Sequence, residues 1–307
     1  MKFEGEYLNG KQWNGIIKEY YYDGKLKFEG EYLNGIRWRG KVYYKNGELE
    51  FEGEYLNDKK WNGKGYNING NIEFTIINGK GKGNEYDSDG ELIFEGEFLN
   101  GERYGNGKEY YFDNKLRFQG EYLNGKRNGK GKEYYHEGEL IFQGEYFNGK
   151  RWNGKGKEYD EYGELIFEGE YLNGEINGKG KEFYEFGQLK FEGEYLNGKK
   201  NDIGIEYYEN GELEFVGEYL NGKKNGIGKE FFKNGDLIFQ GEYLNGKRWN
   251  GKGKEIYKNG KLVFEGEYLN GKRNGKGKEY YYYDTKLMFE GEYLNGKRNG
   301  KGKEYYK

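Results

Sequence analysis

The phrase F-E-G-E-Y-L-N-G returns along the whole chain, and a chain this self-similar must fold as a row of like units. Its phenylalanine stands at Phe3, Phe28, Phe51, Phe94, Phe118, Phe142, Phe167, Phe191, Phe215, Phe239, Phe264 and Phe289, with a degenerate copy at Phe74. The mean period is about 24 residues, in the range of stacked-repeat architectures in which each unit touches only its neighbours. The copies predict one array over residues 1–307 with no linker. Between residues 35 and 90 the array is irregular. There the second half of the unit is short (Lys41 to Tyr44, Lys64 to Asn67), and the Phe74 copy reads as having lost its loop, which suggests a bend.

Within a unit the pattern has period two, the signature of a half-exposed strand. Leu116, Phe118, Gly120 and Tyr122 fall on one face, and Arg117, Gln119 and Glu121 on the other. Asn124-Gly125 follows, the dipeptide that best marks a tight hairpin turn. A second strand then reads G-K-G-K-E-Y-Y, as at Gly129 to Tyr135, before another turn. The fold class is therefore all-β, an elongated array of about thirteen β-hairpins, each joined to the next by another tight turn. A loop over residues 123–128 would set Tyr122 opposite Gly129, Glu121 opposite Lys130 and Gly120 opposite Gly131. Cross-strand opposite charges, each contributing roughly 0.2–1 kcal/mol, would then let 34% charged residues coexist with order. All five tryptophans are one-residue insertions in that loop, where they would leave the pairing intact.

Composition removes most catalytic chemistries. There is no cysteine, one histidine (His136), one serine (Ser88) and two threonines (Thr75, Thr285), so neither a thiol site nor a Ser-His-Asp triad is expected. The glutamate pairs, such as Glu4/Glu6 and Glu168/Glu170, recur a dozen times, whereas an active site is a unique constellation. Asp87-Ser88-Asp89-Gly90 echoes a calcium loop but lacks the remaining ligands. His136 reads as a solitary exposed turn residue. No catalytic residue, metal site or cofactor is expected. Lysine plus arginine (51) against aspartate plus glutamate (54) leaves no basic excess for nucleic acid. No apolar run approaches a membrane span. The opening M-K-F-E-G-E-Y lacks the apolar core of a signal peptide, so a cytoplasmic, cytoskeleton- or membrane-associated location is expected.

The pattern F-E-G-E-Y-x-N-G-K-R-N-G-K-G resembles the MORN repeat, with Phe264, Gly266, Tyr268, Gly271, Gly275 and Gly277 on its consensus positions. The tail K-E-Y-Y-x-N-G-E-L resembles the bacterial MORN-variant repeats. The departures are phenylalanine as the first aromatic and glutamate where the second strand often alternates an aromatic. The resemblance implies an elongated, twisted, single-layer antiparallel sheet of stacked hairpins and non-enzymatic roles: scaffolding, cytoskeletal or organelle assembly, self-association, and contact with acidic phospholipid.

The functional expectation is a structural and interaction scaffold that binds protein partners and self-associates through open sheet edges near Phe3 and Lys307. One alternative is peripheral binding to acidic phospholipid through Trp13, Trp38, Trp61, Trp152 and Trp249 with Arg151 and Arg248. The other is a carbohydrate- or choline-binding repeat module. Gly120, Tyr122, Gly129, Gly131, Gly266, Tyr268, Gly275 and Gly277 are the expected structural positions of the repeat.

Overall fold

The computed structural model describes residues 2–257 and 260–306. Among them twenty-six strands, β1 (Lys2–Leu8) to β26 (Lys297–Glu304), form a single open antiparallel sheet of hairpins, and no helix occurs. The last strand, expected to run close to Lys307, ends at Glu304, and Lys307 itself lies outside the described residues. The chain divides into two compact units, Met1–Gly154 and Lys155–Lys307.

The turns follow from residue chemistry. Asn124 (φ 51°) and Gly125 (φ 77°) both take the left-handed conformation, the two-residue turn whose twist matches that of the strands it joins. Even the Phe74 copy keeps this device at Asn78-Gly79, so its loop is not lost as the sequence suggested. Between hairpins the turn is wider. Gly138 donates to the Tyr135 carbonyl and Tyr135 to the Glu139 carbonyl, each at 2.8 Å. Successive hairpin tips are also tied to one another. Gly149 N–H donates to the Arg127 carbonyl (2.9 Å), and Asn148 N–H to the Asn128 side-chain oxygen (3.2 Å).

The expected register is only half right. In β11 (Leu116–Leu123) and β12 (Lys126–Tyr134), Gly120 does face Gly131. Tyr122, however, faces Arg127, because a bulge absorbs the residues between. Gly129 instead faces Tyr146 of the following hairpin, and Lys130 faces Glu145 there. Glu121 reaches its own hairpin by accepting the Lys130 backbone N–H (3.3 Å). The charge ladder thus runs mainly across the joint between hairpins rather than within one.

The tryptophans require the second correction. They lie in strands and not in loops: Trp13 in β2 (Lys11–Tyr20), Trp38 in β4 (Ile36–Tyr43), Trp61 in β6 (Lys59–Tyr66), Trp152 in β14 (Lys150–Tyr159) and Trp249 in β22 (Lys247–Ile256). Nor do they leave the pairing undisturbed. In β21 (Leu237–Leu244) and β22, Glu242 faces Asn250 and Tyr243 faces Arg248, so Trp249 is the unpaired bulge residue. Gly241 then meets Gly251, the first glycine of N-G-K-G, where a hairpin without tryptophan uses the second.

The core is one face of this sheet. Phe28, Phe51, Phe94, Phe118, Phe191, Phe215, Phe239 and Phe264 are fully buried. The Phe118 ring covers the Gly120–Gly131 pair, and a methyl on Gly131 would lie 2.5 Å from its Cζ. The ring meets Tyr122 (5.6 Å) and Tyr146 of the next hairpin (4.9 Å) edge-on, a geometry that contributes about 0.5–1.5 kcal/mol per contact beyond area burial.

The irregular section holds one defective hairpin, β7 (Ile72–Ile77) and β8 (Lys80–Tyr86), in which only Ile76–Gly81 and Ile77–Lys80 pair. Its flanking segments close over it from both ends. Lys45 bonds the Ser88 carbonyl (3.1 Å) and Asp89 (2.8 Å), while Lys59 pairs with Glu102 (2.6 Å).

Candidate interaction surfaces

On the aromatic face, the second residue after the hairpin turn, where it is a cation, is built into a ladder. Arg127 lies 4.2 Å from the Phe118 ring centroid and pairs with Glu109 of the preceding hairpin (2.5 Å) and Glu133 of its own (2.8 Å). Tyr122 O–H donates to the same Glu109 (2.9 Å). Burial opposes the charge on Glu109, but the Arg127 hydrogen bonds and charge prevail and hold its carboxyl below the ordinary glutamate range. Burial and the adjacent Glu109 push the Tyr122 phenol up. Lys200, Lys224 and Arg273 repeat the arrangement. The sequence reading noted these glutamates as a departure from the repeat consensus but not their pairing, although K-E-Y recurs in six of the thirteen units.

Arg151 and Arg248, expected as contact residues for a partner or a membrane, belong to this ladder: each is half-buried and pairs at 2.8 Å, with Glu133 and Glu230 respectively. The tryptophan rings also have places in the fold. Trp13, Trp61 and Trp249 lie against the turn glycine of the following hairpin, Gly35, Gly79 and Gly271; a methyl on Gly79 would come within 2.7 Å of the Trp61 ring. Trp152 packs on Phe147 (5.2 Å), and Arg39 covers Trp38, the most open of the five at 40% exposure. His136 is not solitary: it stacks on Phe112 (6.0 Å) with Nε2 3.1 Å from Asp113. Asp87 spends its carboxylate on the backbone N–H groups of Asp89 and Glu91 (2.9 Å each), which forms a turn and not a calcium loop.

The opposite face carries the open feature. In the second unit a trough of about 760 Å³ crosses the strands. Its floor is the glycine backbone of Gly253, Gly266, Gly277, Gly291 and Gly302, paired strand to strand. One wall runs Lys254, Glu265, Lys278, Glu290, Lys303, and the other Lys252, Glu267, Lys276, Glu292, Lys301. The sign alternates at every strand because Glu stands beside the glycine of each first strand and Lys beside that of each second. Tyr280 O–H braces Glu265 (2.5 Å), and Lys252 pairs with Glu267 (3.5 Å). The first unit has a smaller trough, about 570 Å³, over Gly30, Gly40 and Gly53. There the hydrogen bond from Tyr43, aided by Lys18, lowers the Glu29 carboxyl below its ordinary value.

Comparison with known proteins comes down on one family. The MORN repeat model matches residues 94–115, 118–139, 215–237, 264–282 and 289–307. The MORN repeat variant matches 13–34, 39–57, 176–197, 203–221 and 249–270. No curated protein matches the chain. Among solved structures, TcdB2-TccC3-TEV is 12% identical over 90% of this chain and 15% of its own, with a TM-score of 0.20. The virginiamycin B lyase from Staphylococcus aureus is 10% identical over 88% of this chain and 82% of its own, with a TM-score of 0.17. The chain spans only about a seventh of the first of these, and neither likeness is close enough to support an argument. The repeat matches together cover more than half of the chain, which therefore belongs to the MORN repeat family, typically non-catalytic interaction modules.

Proposed function

We propose that this chain is a binding module that holds a protein partner along the glycine-floored trough. The observation that carries the reading is the trough of the second unit: a long open floor of backbone between two walls of side chains in fixed sign alternation. Because lysine and glutamate alternate at each strand, a polyanion such as nucleic acid or an acidic membrane would meet four glutamates interleaved with the six lysines of the walls. A polypeptide carrying side chains of both signs can match the walls, and the charges would set its register more than its affinity. Against the membrane alternative, Arg151 and Arg248 are engaged with glutamates and four of the five tryptophans pack within the array, Trp38 being the one left 40% exposed. Affinity capture with mass spectrometry, comparing the wild type with Lys252→Glu/Lys276→Glu, tests the reading. Both lysines are exposed, so the variant should fold. The expected result is a partner enriched by the wild type and lost from the variant. An unchanged set of captured proteins, or co-sedimentation of the wild type with phosphatidylserine vesicles, would overturn it.

A further inference from the structure

A meander of hairpins has two long margins that are not strand edges. Hairpin tips line one and the turns between hairpins line the other, at opposite ends of the strands. In the second unit three turns of one margin and three tips of the other carry opposite chemistry, whereas the turn at 232–236 includes Lys233 and the tip at 172–175 ends in Glu175. The turns at residues 160–164, 184–188 and 208–212 read D-E-Y-G-E, Y-E-F-G-Q and Y-E-N-G-E, with no lysine or arginine among them. Glu161, Glu164, Glu185, Glu209 and Glu212 are exposed, and so are the two aromatic rings at this margin: Tyr162 at 80% and Phe186 at 81%. Asp160 accepts the backbone N–H groups of Tyr162 and Glu164 (2.9 Å each), which fixes the turn that presents the Tyr162 ring. The turns are also fixed to one another. Tyr184 O–H donates to the Tyr207 carbonyl (2.9 Å), and Tyr208 O–H to the Phe231 carbonyl (2.8 Å).

The tips at 196–199, 220–223 and 244–247 each read L-N-G-K, with no acid. Lys199, Lys223 and Lys247 are exposed, and Leu196 (48%) and Leu220 (51%) leave half their surface in solvent. Over these three turns and three tips one margin is acidic and aromatic, the other basic and aliphatic. Both repeat every two strands, roughly 9.6 Å, because the same sheet spaces them. Two rows of equal pitch and opposite charge can engage over several repeats at once.

We propose that the tip margin of one copy docks on the turn margin of a second copy, the leucines seating against Tyr162 and Phe186 and the lysines against the glutamates. The contact pairs two different patches, so it leaves a free margin of each kind and builds open side-by-side rows. It differs from pairing of terminal strands, and it involves a surface separate from the trough, so either proposal can fail alone.

Sedimentation velocity with a charge-swap pair tests it. One variant is Glu161→Lys/Glu185→Lys/Glu209→Lys, the other Lys199→Glu/Lys223→Glu/Lys247→Glu; all six sites are exposed. The wild type should gain mass with concentration at low salt and lose that gain at high salt, because exposed charges are screened. Each variant alone should stay monomeric, because the first has its turn margin neutralised (Asp160, Glu164 and Glu212 against the three new lysines) and the second has two acidic margins. Their equimolar mixture should associate again, because each supplies the margin the other lacks. A wild type of constant mass at low salt, a single variant that associates like the wild type, or a mixture that stays monomeric would each overturn the proposal.

Discussion

Two neighbouring hairpins of the second unit show what the array holds fixed and what it lets vary. In β21–β22 Gly241 faces Gly251, and Trp249 bulges out unpaired. In β23 (Leu262–Leu269) and β24 (Lys272–Tyr280) Gly266 faces Gly277, the later glycine of the motif, and the bulge centres on Gly275 at φ 78°. Inside the hairpin, then, the register differs by two residues. Toward the next hairpin it does not: Gly251 faces Tyr268 just as Gly275 faces Tyr293. The joint between hairpins carries the Phe–Tyr contacts, the ion-pair ladder and the trough rows, so it tolerates no slip. The tip carries a bulge, and a bulge can be made by a left-handed glycine or by an inserted tryptophan.

The largest effect is expected where both hairpin types agree. A Cβ on Gly277 would lie 2.7 Å from the Phe264 ring and 3.1 Å from Tyr293; one on Gly251 would lie 2.4 Å from the Gln240 carbonyl oxygen. Gly277→Val and Gly251→Val should each cost roughly 3 kcal/mol or more, the upper end of overpacking. Gly275→Ala should cost only about 1–2 kcal/mol for its left-handed backbone, since its Cβ would meet the mobile end of Glu267 (2.2 Å from Oε2). Urea unfolding ranks the three, and a costlier Gly275→Ala would break the distinction between column and bulge.

How far the sequence showed this fold depends on what each residue does. The hairpins were legible because Asn-Gly and strict alternation are local signals that need no partner to interpret. Gly120 opposite Gly131 was legible too, from charge alternation. Tyr122 was misplaced because a bulge costs no residue type of its own: Gly129 looks the same whether it pairs or bulges. Trp249 was read as a loop residue for the same reason, insertions being most easily housed where nothing pairs. The ladder of Arg127 between Glu109 and Glu133 joins residues 18 and 6 apart. It becomes visible only once the joint between hairpins is in register. The trough was half legible, since the alternating charges were read but not their assembly into two walls.

A middle-sized effect should come from the ladder and follow pH. In β22–β24, Arg273 holds Glu255 (2.6 Å) and Glu279 (2.9 Å). Burial works against the Glu255 charge, but the bonds from Arg273 and Tyr268 lower its carboxyl below the ordinary value. A carboxyl lowered on folding contributes stability above its unfolded value of roughly 4.3, and that contribution is lost as pH falls through the lower folded value. The Tyr268 phenol is raised, by burial and by Glu255, so stability should also fall once unfolded tyrosines ionise above about pH 10. Arg273→Gln should cost about 1–2 kcal/mol at neutral pH and flatten the acid limb of the melting curve. An acid limb as steep as the wild type's would place the acid sensitivity in other carboxylates.

The smallest change in stability should accompany the largest change in register. Deleting Trp249 leaves K-R-N-G-K-G-K-E after the turn, identical to residues 272–279, on a first strand that differs from its neighbour's only at Gln240 within F-Q-G-E-Y-L-N. The deleted hairpin should therefore adopt the pairing of β23–β24. Gly241 would move from Gly251 to Gly253, and Gly251 would take the left-handed bulge conformation that Gly275 holds. The Phe239 ring would still cover a glycine pair, and the joint to β23 would keep Gly251 against Tyr268. What is lost is the partial burial of one indole against Gly271, on the order of 1 kcal/mol. The reading is made by NMR, through the cross-strand contact of the Gly241 α-protons in the two proteins. A move to Gly253 with the melting temperature nearly kept would establish that tip register is free while joint register is fixed. If Gly241 stays against Gly251, the one-residue bulge belongs to the rest of the hairpin and not to the tryptophan.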